Sequence, residues 1–357
     1  MSSSETARRA NYRSIQYLRG IAALMVVLCH GIGHPLKVEP ELVGKIGRFA
    51  VDIFFVVSGF IIVTSTGSGS FQPMKFLVRR WLRVAPLYWA ATIMIVFVVL
   101  FDASIFKTAS AELDRVARSL LFLPDEKHPV LKLGWSLNFE MFFYLVFSAL
   151  CFLSSAQRTV AVTTIFAGLI LLGSVTSIDN PFWTYYTSPS LMGFVFGVII
   201  GEANRRGALS GMGKAGTVLV SLASVVITAV FFAFVPFKDS LGLHVTMSLG
   251  SACIVVALMK LEISDRLPKW HVLHVLGDAS YSIYIFHMFA VGAVWAVFKH
   301  LAHDMGIAAH ILGSTLAVTG GAATGLIIFL VLERKLLALI GDLNARMFRE
   351  IRQPTLS

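Results

Sequence analysis

Residues 46–66 read IGRFAVDIFFVVSGFIIVTST. After Arg48 and Asp52 the stretch carries no charge, and its length matches the ~20 apolar residues with which a helix crosses the hydrocarbon core of a bilayer. Working outward, comparable runs recur at 14–34, 85–103, 136–153, 159–177, 188–203, 214–235, 240–259, 277–298 and 308–332. The chain therefore reads as an all-α, polytopic membrane helix bundle with about ten spanning helices. Composition agrees. Hydrophobic residues make up 56% of the 357 and charged residues only 14%, against about 25% charged in soluble domains. The longest piece between spans, 104–135, places Leu113, Val116, Ala117, Leu120 and Leu121 at helical spacing and predicts a short interfacial helix. One domain is expected over 1–357, with short tails 1–13 and 335–357.

A net charge of +10 raises the question of nucleic acid, but Lys and Arg also gather where loops meet an anionic inner leaflet. With the N-terminus inside, the clusters Arg8–Arg13, Lys75–Arg83, Arg205–Lys214, Lys260–Lys269 and Arg334–Lys335 all fall on one side. Both termini are then cytoplasmic, and membrane lipid rather than nucleic acid is the expected polyanionic surface. Arg8, Arg9 and Arg13 before the first run resemble a signal peptide. Arg19 interrupts that run, however, and His30, His34 and Pro35 follow where a cleavage site would stand, so it reads as a retained helix. Cys29, Cys151 and Cys253 lie inside apolar runs without a C-x-x-C pair, which argues against disulfides and zinc. Nucleotide-loop, G-x-S-x-G and H-E-x-x-H signatures are absent, and Gly67–Ser70 reads as a turn.

Ionisable groups within spans cost several kcal/mol unless they face a polar interior, so they are the functional candidates. Arg19 and His30 are eleven residues apart, which puts them on one helix face and about 16 Å apart along the axis. His34 continues the stripe. A snorkelling Arg with a headgroup-level His fits the same placement. Glu140 lies a turn inside the fourth run, at the depth of His30, with Tyr144 at i+4. That arrangement suits a base and its orienting carboxylate, and equally a carboxylate at its own helix N-terminus. Arg79, Arg80 and Arg83 form a cationic face suited either to phosphate or to membrane anchoring. Arg48 and Asp52 are spaced as an i,i+4 ion pair. Ser280, Tyr284 and His287 share a face that suits interhelical hydrogen bonds or chemistry. Glu333 and Arg334 read as a helix-end pair.

These stretches together resemble the acyltransferase-3 integral membrane proteins, particularly bacterial exopolysaccharide and lipopolysaccharide O-acetyltransferases. The matching segments are Tyr17–Ala23 running to His30, Val51–Phe60, Arg79–Tyr88, Trp135–Tyr144 and Ser280–His287, in the family's order over some 270 residues. The family's arginine-x10-histidine pattern falls on Arg19 and His30, its arginine-x-x-arginine on Arg80 and Arg83, and its glutamate on Glu140 after Ser136. Ala50-Val51-Asp52 stands where members usually have glycine-valine-aspartate. The resemblance implies a multi-pass protein of the bacterial cytoplasmic membrane that moves an acyl group, most simply acetyl, from acyl-CoA to a carbohydrate hydroxyl. Arg19, Arg79, Arg80 and Arg83 would hold acyl-CoA. His30, oriented by Glu140, would act as base or as acylated nucleophile. Arg48, Asp52, Trp135, Asn138, Tyr144, Tyr284 and His287 would bind substrate. No metal is expected, and a second copy or polysaccharide-assembly proteins are the further partners the resemblance allows. No SGNH hydrolase-like extension follows the last run, which implies a single-module member. A transporter or flippase for a lipid-linked sugar is the alternative, though the repeated halves common in transporters are not visible. A non-catalytic subunit of a polysaccharide-export complex is a third.

Overall fold

The computed structural model describes residues 12–33, 40–66, 71–101, 110–301 and 306–341, and among them every regular element is helical. Arg8, Arg9, His34, Pro35, the 67–70 turn and residues 342–357 of the expected tail lie outside the described residues. In chain order the helices are α1 (Arg13–Gly33), α2 (Pro40–Thr66), α3 (Pro73–Phe101), α4 (Leu113–Leu120), α5 (Gly134–Ala149), α6 (Ser155–Val175) and α7 (Pro181–Tyr186). They continue with α8 (Met192–Arg205), α9 (Ala208–Gly211), α10 (Lys214–Phe234), α11 (Leu241–Ile263), α12 (His271–Asp278), α13 (Ser280–Leu301) and α14 (Gly306–Ile328). Eight of them, α1, α2, α3, α6, α10, α11, α13 and α14, are long and apolar enough to cross a bilayer.

Each expected span meets a helix, but two are short. Runs 136–153 and 188–203 become α5, of 16 residues, and α8, of 14, about 24 and 21 Å of helix at 1.5 Å per residue. Burial explains how they persist, because both pack much of their surface against neighbouring helices. The glycines that punctuate the α8 stretch make that packing possible. Gly193, Gly197 and Gly201, one turn apart, face α2, and a Cβ at Gly197 would lie 2.9 Å from the Gly59 Cα and 3.0 Å from the Phe60 nitrogen. Small residues at this spacing let two backbones approach closely.

α3 begins at Pro73 rather than near residue 85, so the Lys75–Arg83 cations occupy its first turns. At 29 residues it is about 44 Å long, more than the ~30 Å hydrocarbon core, which lets the charged end project beyond it. The ninth run is interrupted at Ala279, where α12 ends and α13 begins. The tenth run, α14, does not stop at an end pair. It passes through a π turn, Phe329–Glu333, and continues to Gly341. Glu333 is consequently buried, and its carboxylate accepts from the Ser282 hydroxyl on α13. The interfacial helix expected in 104–135 is α4, held by buried Arg115, which donates to the His128 carbonyl.

Candidate active site

α1, α2, α3, α5 and α13 enclose a cavity of about 310 Å³. Helical spacing decides which polar groups reach it. Arg80 and Arg83 enter from α3 at i,i+3, Glu140 and Tyr144 from α5 at i,i+4, and Tyr281 and Tyr284 from α13 at i,i+3, joined by Arg19 of α1 and Ser58 of α2. Arg79, about 100° round the helix from Arg80, is exposed and does not line the cavity. Glu140 Oε1 accepts from the Ser58 hydroxyl at 3.1 Å and from the Tyr144 hydroxyl. The Arg80 guanidinium lies over the Tyr144 ring at 5.5 Å and over Phe76 at 5.7 Å. Arg19 Nη1 donates to Gln16 Oε1 at 3.0 Å, and Ser136 Oγ and the Tyr284 hydroxyl are 2.7 Å apart. The walls thus present three guanidinium groups and one carboxylate. Such an excess in an apolar enclosure favours an anionic ligand.

His30 is not part of this lining. Its Nδ1 is 2.9 Å from the Val26 carbonyl oxygen and 3.1 Å from Nε2 of His287, a fully buried residue of α13. The expected His30–Glu140 pair is not formed, because Glu140 turns toward α2 while His30 turns toward α13. The two places are nonetheless close neighbours. Tyr284 lines the cavity and its ring centroid lies 6.5 Å from that of His287, with Phe54 packed against Tyr284 at 6.0 Å.

The remaining candidates divide. Arg48, Asp52 and Trp135 line a second, small cavity of about 10 Å³ with His244, separated from the first by Val51 and Phe55, which border both. Arg48 and Asp52 are not an ion pair. Arg48 bonds Asp239 at 3.0 Å, and buried Asp52 accepts from Ser248 at 2.7 Å. Asp239, in the turn between α10 and α11, also pairs with His244 at 2.8 Å. Its carboxyl is pulled down to about 2, chiefly by that hydrogen bond, with Arg48 alongside. Asn138 lines neither cavity. It is buried and donates to the Leu123 carbonyl, tying the loop before α5 in place. His287, buried with both ring nitrogens facing protein, likewise leaves no edge for a substrate.

Sequence reasoning passed over Ser58, Tyr281, His244 and Asp239. An imidazole within an apolar run is the signal that points to His244 in the sequence. Ser58 gives none, since hydroxyls are common in membrane helices.

Residues 12–334 match the acyltransferase domain family. The chain is similar to the exopolysaccharide production protein ExoZ of Rhizobium meliloti (strain 1021), with 33% identity over 298 residues, 82% of this chain and 90% of ExoZ. It is also similar to the peptidoglycan O-acetyltransferase OatA of Listeria monocytogenes serovar 1/2a, with 27% identity over 312 residues, 77% of this chain and 48% of OatA. No solved structure matches it. The family match opens at the residue before α1 and closes just past the π turn, so it takes in every helix that builds the cavity and the histidine pair: the chain belongs to the acyltransferase domain family.

Proposed function

We propose that the protein is a membrane O-acyltransferase that moves an acyl group, most simply acetyl, from cytoplasmic acyl-CoA to a hydroxyl of an exported carbohydrate in the bacterial cytoplasmic membrane. The observation that carries this reading is the cavity itself, with Arg19, Arg80 and Arg83 around an apolar slot that holds a single, hydrogen-bonded carboxylate. At about 310 Å³ it suits the pantetheine arm and its thioester, leaving the nucleotide phosphates at the arginine-rich mouth. The names of ExoZ and OatA, one concerned with exopolysaccharide and the other with O-acetylation of peptidoglycan, support a polymeric carbohydrate as acceptor.

In this reading both termini are cytoplasmic and the helices form one domain. Glu140 and Tyr144 position the thioester, and the acyl group passes Tyr284 and Phe54 to come within reach of His30. The acceptor O–H bond breaks as its proton moves to His30, its oxygen adds to the thioester carbonyl carbon, and the C–S bond then breaks. The departing thiolate takes the proton, which restores the base. Positioned acid–base catalysis of this kind contributes about 10²–10⁴-fold in rate.

The test is release of CoA by purified protein in detergent, given acetyl-CoA and a crude polysaccharide or lipid-linked sugar. Acceptor-dependent release that disappears in His30→Ala, with unchanged melting, is the expected result. Movement of a lipid-linked sugar across vesicles with no acylation would instead establish a flippase.

A further inference from the structure

The contacts of the two histidines contain a tautomer assignment. In each ring Nδ1 faces a backbone carbonyl one helical turn back. His30 Nδ1 is 2.9 Å from Val26 O, and His287 Nδ1 is 3.0 Å from Ile283 O. A carbonyl oxygen only accepts, so each Nδ1 carries the hydrogen, and a neutral imidazole has one N–H to give. Both Nε2 atoms are therefore bare. The 3.1 Å contact between the rings then has one direction: His30 Nδ1–H, shared with Val26 O, donates to His287 Nε2. The free lone pair of the pair is His30 Nε2, on the partly exposed member, while His287 is wholly enclosed.

We infer that His287 is a positioning residue for the acyl transfer: it orients the His30 imidazole with Nε2 outward and stabilises the imidazolium formed when that nitrogen takes the acceptor's proton. The inference rests on His30 being the base, as proposed above. When His30 is protonated at Nε2, its Nδ1–H becomes a charged donor, and His287 Nε2 is the acceptor waiting for it. Hydrogen bonds to charged groups contribute more than neutral ones. The Ile283 carbonyl keeps His287 in the accepting tautomer, so the interaction cannot invert to a donor meeting a donor. Packing keeps the ring in place. Gly321 on α14 lies behind it, and a Cβ there would come 3.3 Å from the His287 Cβ and 3.0 Å from Val27 Cγ1. α1, α13 and α14 thus pack closely around the His287 side chain.

Two measurements on the full-length protein test this. The first needs no activity: nitrogen NMR of protein carrying ¹⁵N-histidine, in detergent at neutral pH. Protonated Nδ1 and bare Nε2 on both rings, with a nitrogen–nitrogen coupling across the hydrogen bond, is the expected pattern. A proton on Nε2 of His287 would overturn the assignment. The second is kinetic. His287→Phe keeps an aromatic side chain but removes the acceptor, and should lower kcat by about 10- to 100-fold. The KM for acyl-CoA should hold, because His287 does not line the donor cavity. His287→Gln, which offers an amide oxygen near the position of Nε2, should recover part of the loss. If His287→Phe turns over like wild type, or loses only melting temperature, the residue is structural and the inference fails. Wild-type protein that shows the NMR pattern yet never turns over acyl-CoA would overturn the enzymatic reading while leaving the tautomer assignment standing.

Discussion

The close approach of the α8 and α2 backbones gives a prediction that needs no knowledge of substrate. In Gly197→Ala one methyl group is added where α8 meets α2, and it would stand 2.9 Å from the Gly59 Cα and 3.0 Å from the Phe60 nitrogen, with the Val56 carbonyl closer still. These are backbone atoms of a buried helix, so no side chain can swing aside, and the two helices must separate. Overpacking of this kind costs about 1–3 kcal/mol. The gain from replacing a mid-helix glycine by alanine, about 0.5–1 kcal/mol, offsets part of it. The control is Gly168→Ala on α6, where a Cβ meets nothing within 4 Å and only the gain remains. Melting in one detergent, followed by intrinsic fluorescence, should place Gly197→Ala several degrees below wild type, at roughly 2–4 °C per kcal/mol. Gly168→Ala should melt at or above wild type. Because Ser58 adjoins Gly59, the shift of α2 should also loosen the Ser58–Glu140 hydrogen bond and lower activity beyond what stability explains. Equal melting of the two variants would refute the packing account of why so short a helix as α8 is stable.

Three further outcomes follow from the site. Glu140→Gln removes the carboxylate that receives both Ser58 and Tyr144; acyl transfer should fall by at least about tenfold, the effect of one charged hydrogen bond, and unchanged turnover would remove Glu140 from the mechanism. Arg83→Ala, at the cavity wall on the α3 side, should raise the KM for acyl-CoA more than it lowers kcat, and a pure kcat effect would contradict a donor-binding role. Asp239, whose folded carboxyl is held near 2 by His244 and Arg48, contributes stability that is present above its unfolded value near 3.8 and is lost as pH falls toward 2. Asp239→Asn should therefore flatten melting temperature against pH between about 4 and 2, modestly because the carboxylate is mostly exposed, and an unchanged profile would refute the linkage.

The spans were readable because a run of apolar residues announces its own burial. The twelve polar-flecked residues that start α3 were not, since a helix outside the hydrocarbon core has no need of an apolar surface. Hydropathy marked the 188–203 run as short but could not tell that α8 is buried, because the same glycines that lower its score are its contact surface. At the site, residues read together as one face did arrive together, as with Glu140 and Tyr144 or Arg80 and Arg83. The pairing of His30 with Glu140 failed for a geometric reason. Depth along a helix can be read from sequence, but the direction in which a side chain points across the bundle depends on how each helix is rotated. Glu140 and His30 were assigned equal depth, and the structure rotates one toward Ser58 and the other toward His287.

That rotation also makes electrostatic sense under the proposed mechanism. A carboxylate beside His30, away from the three guanidinium groups of the cavity, would have no arginine beside it until the imidazole was protonated, and a buried charge without a close partner is costly. A second imidazole avoids this. Neutral in the resting state, it presents a lone pair to the N–H and meets charge only during the interval in which His30 holds the acceptor's proton. The carboxylate is found instead where cations already stand, receiving Ser58 and Tyr144 with Arg80 over the Tyr144 ring. Arg19 and His30, on one face of α1 and about 16 Å apart, then belong to two different electrical environments joined by the wall of Phe54 and Tyr284. The arginine-rich side suits an anionic thioester donor, and the imidazole side, which carries no arginine, suits an uncharged hydroxyl that has only a proton to give up.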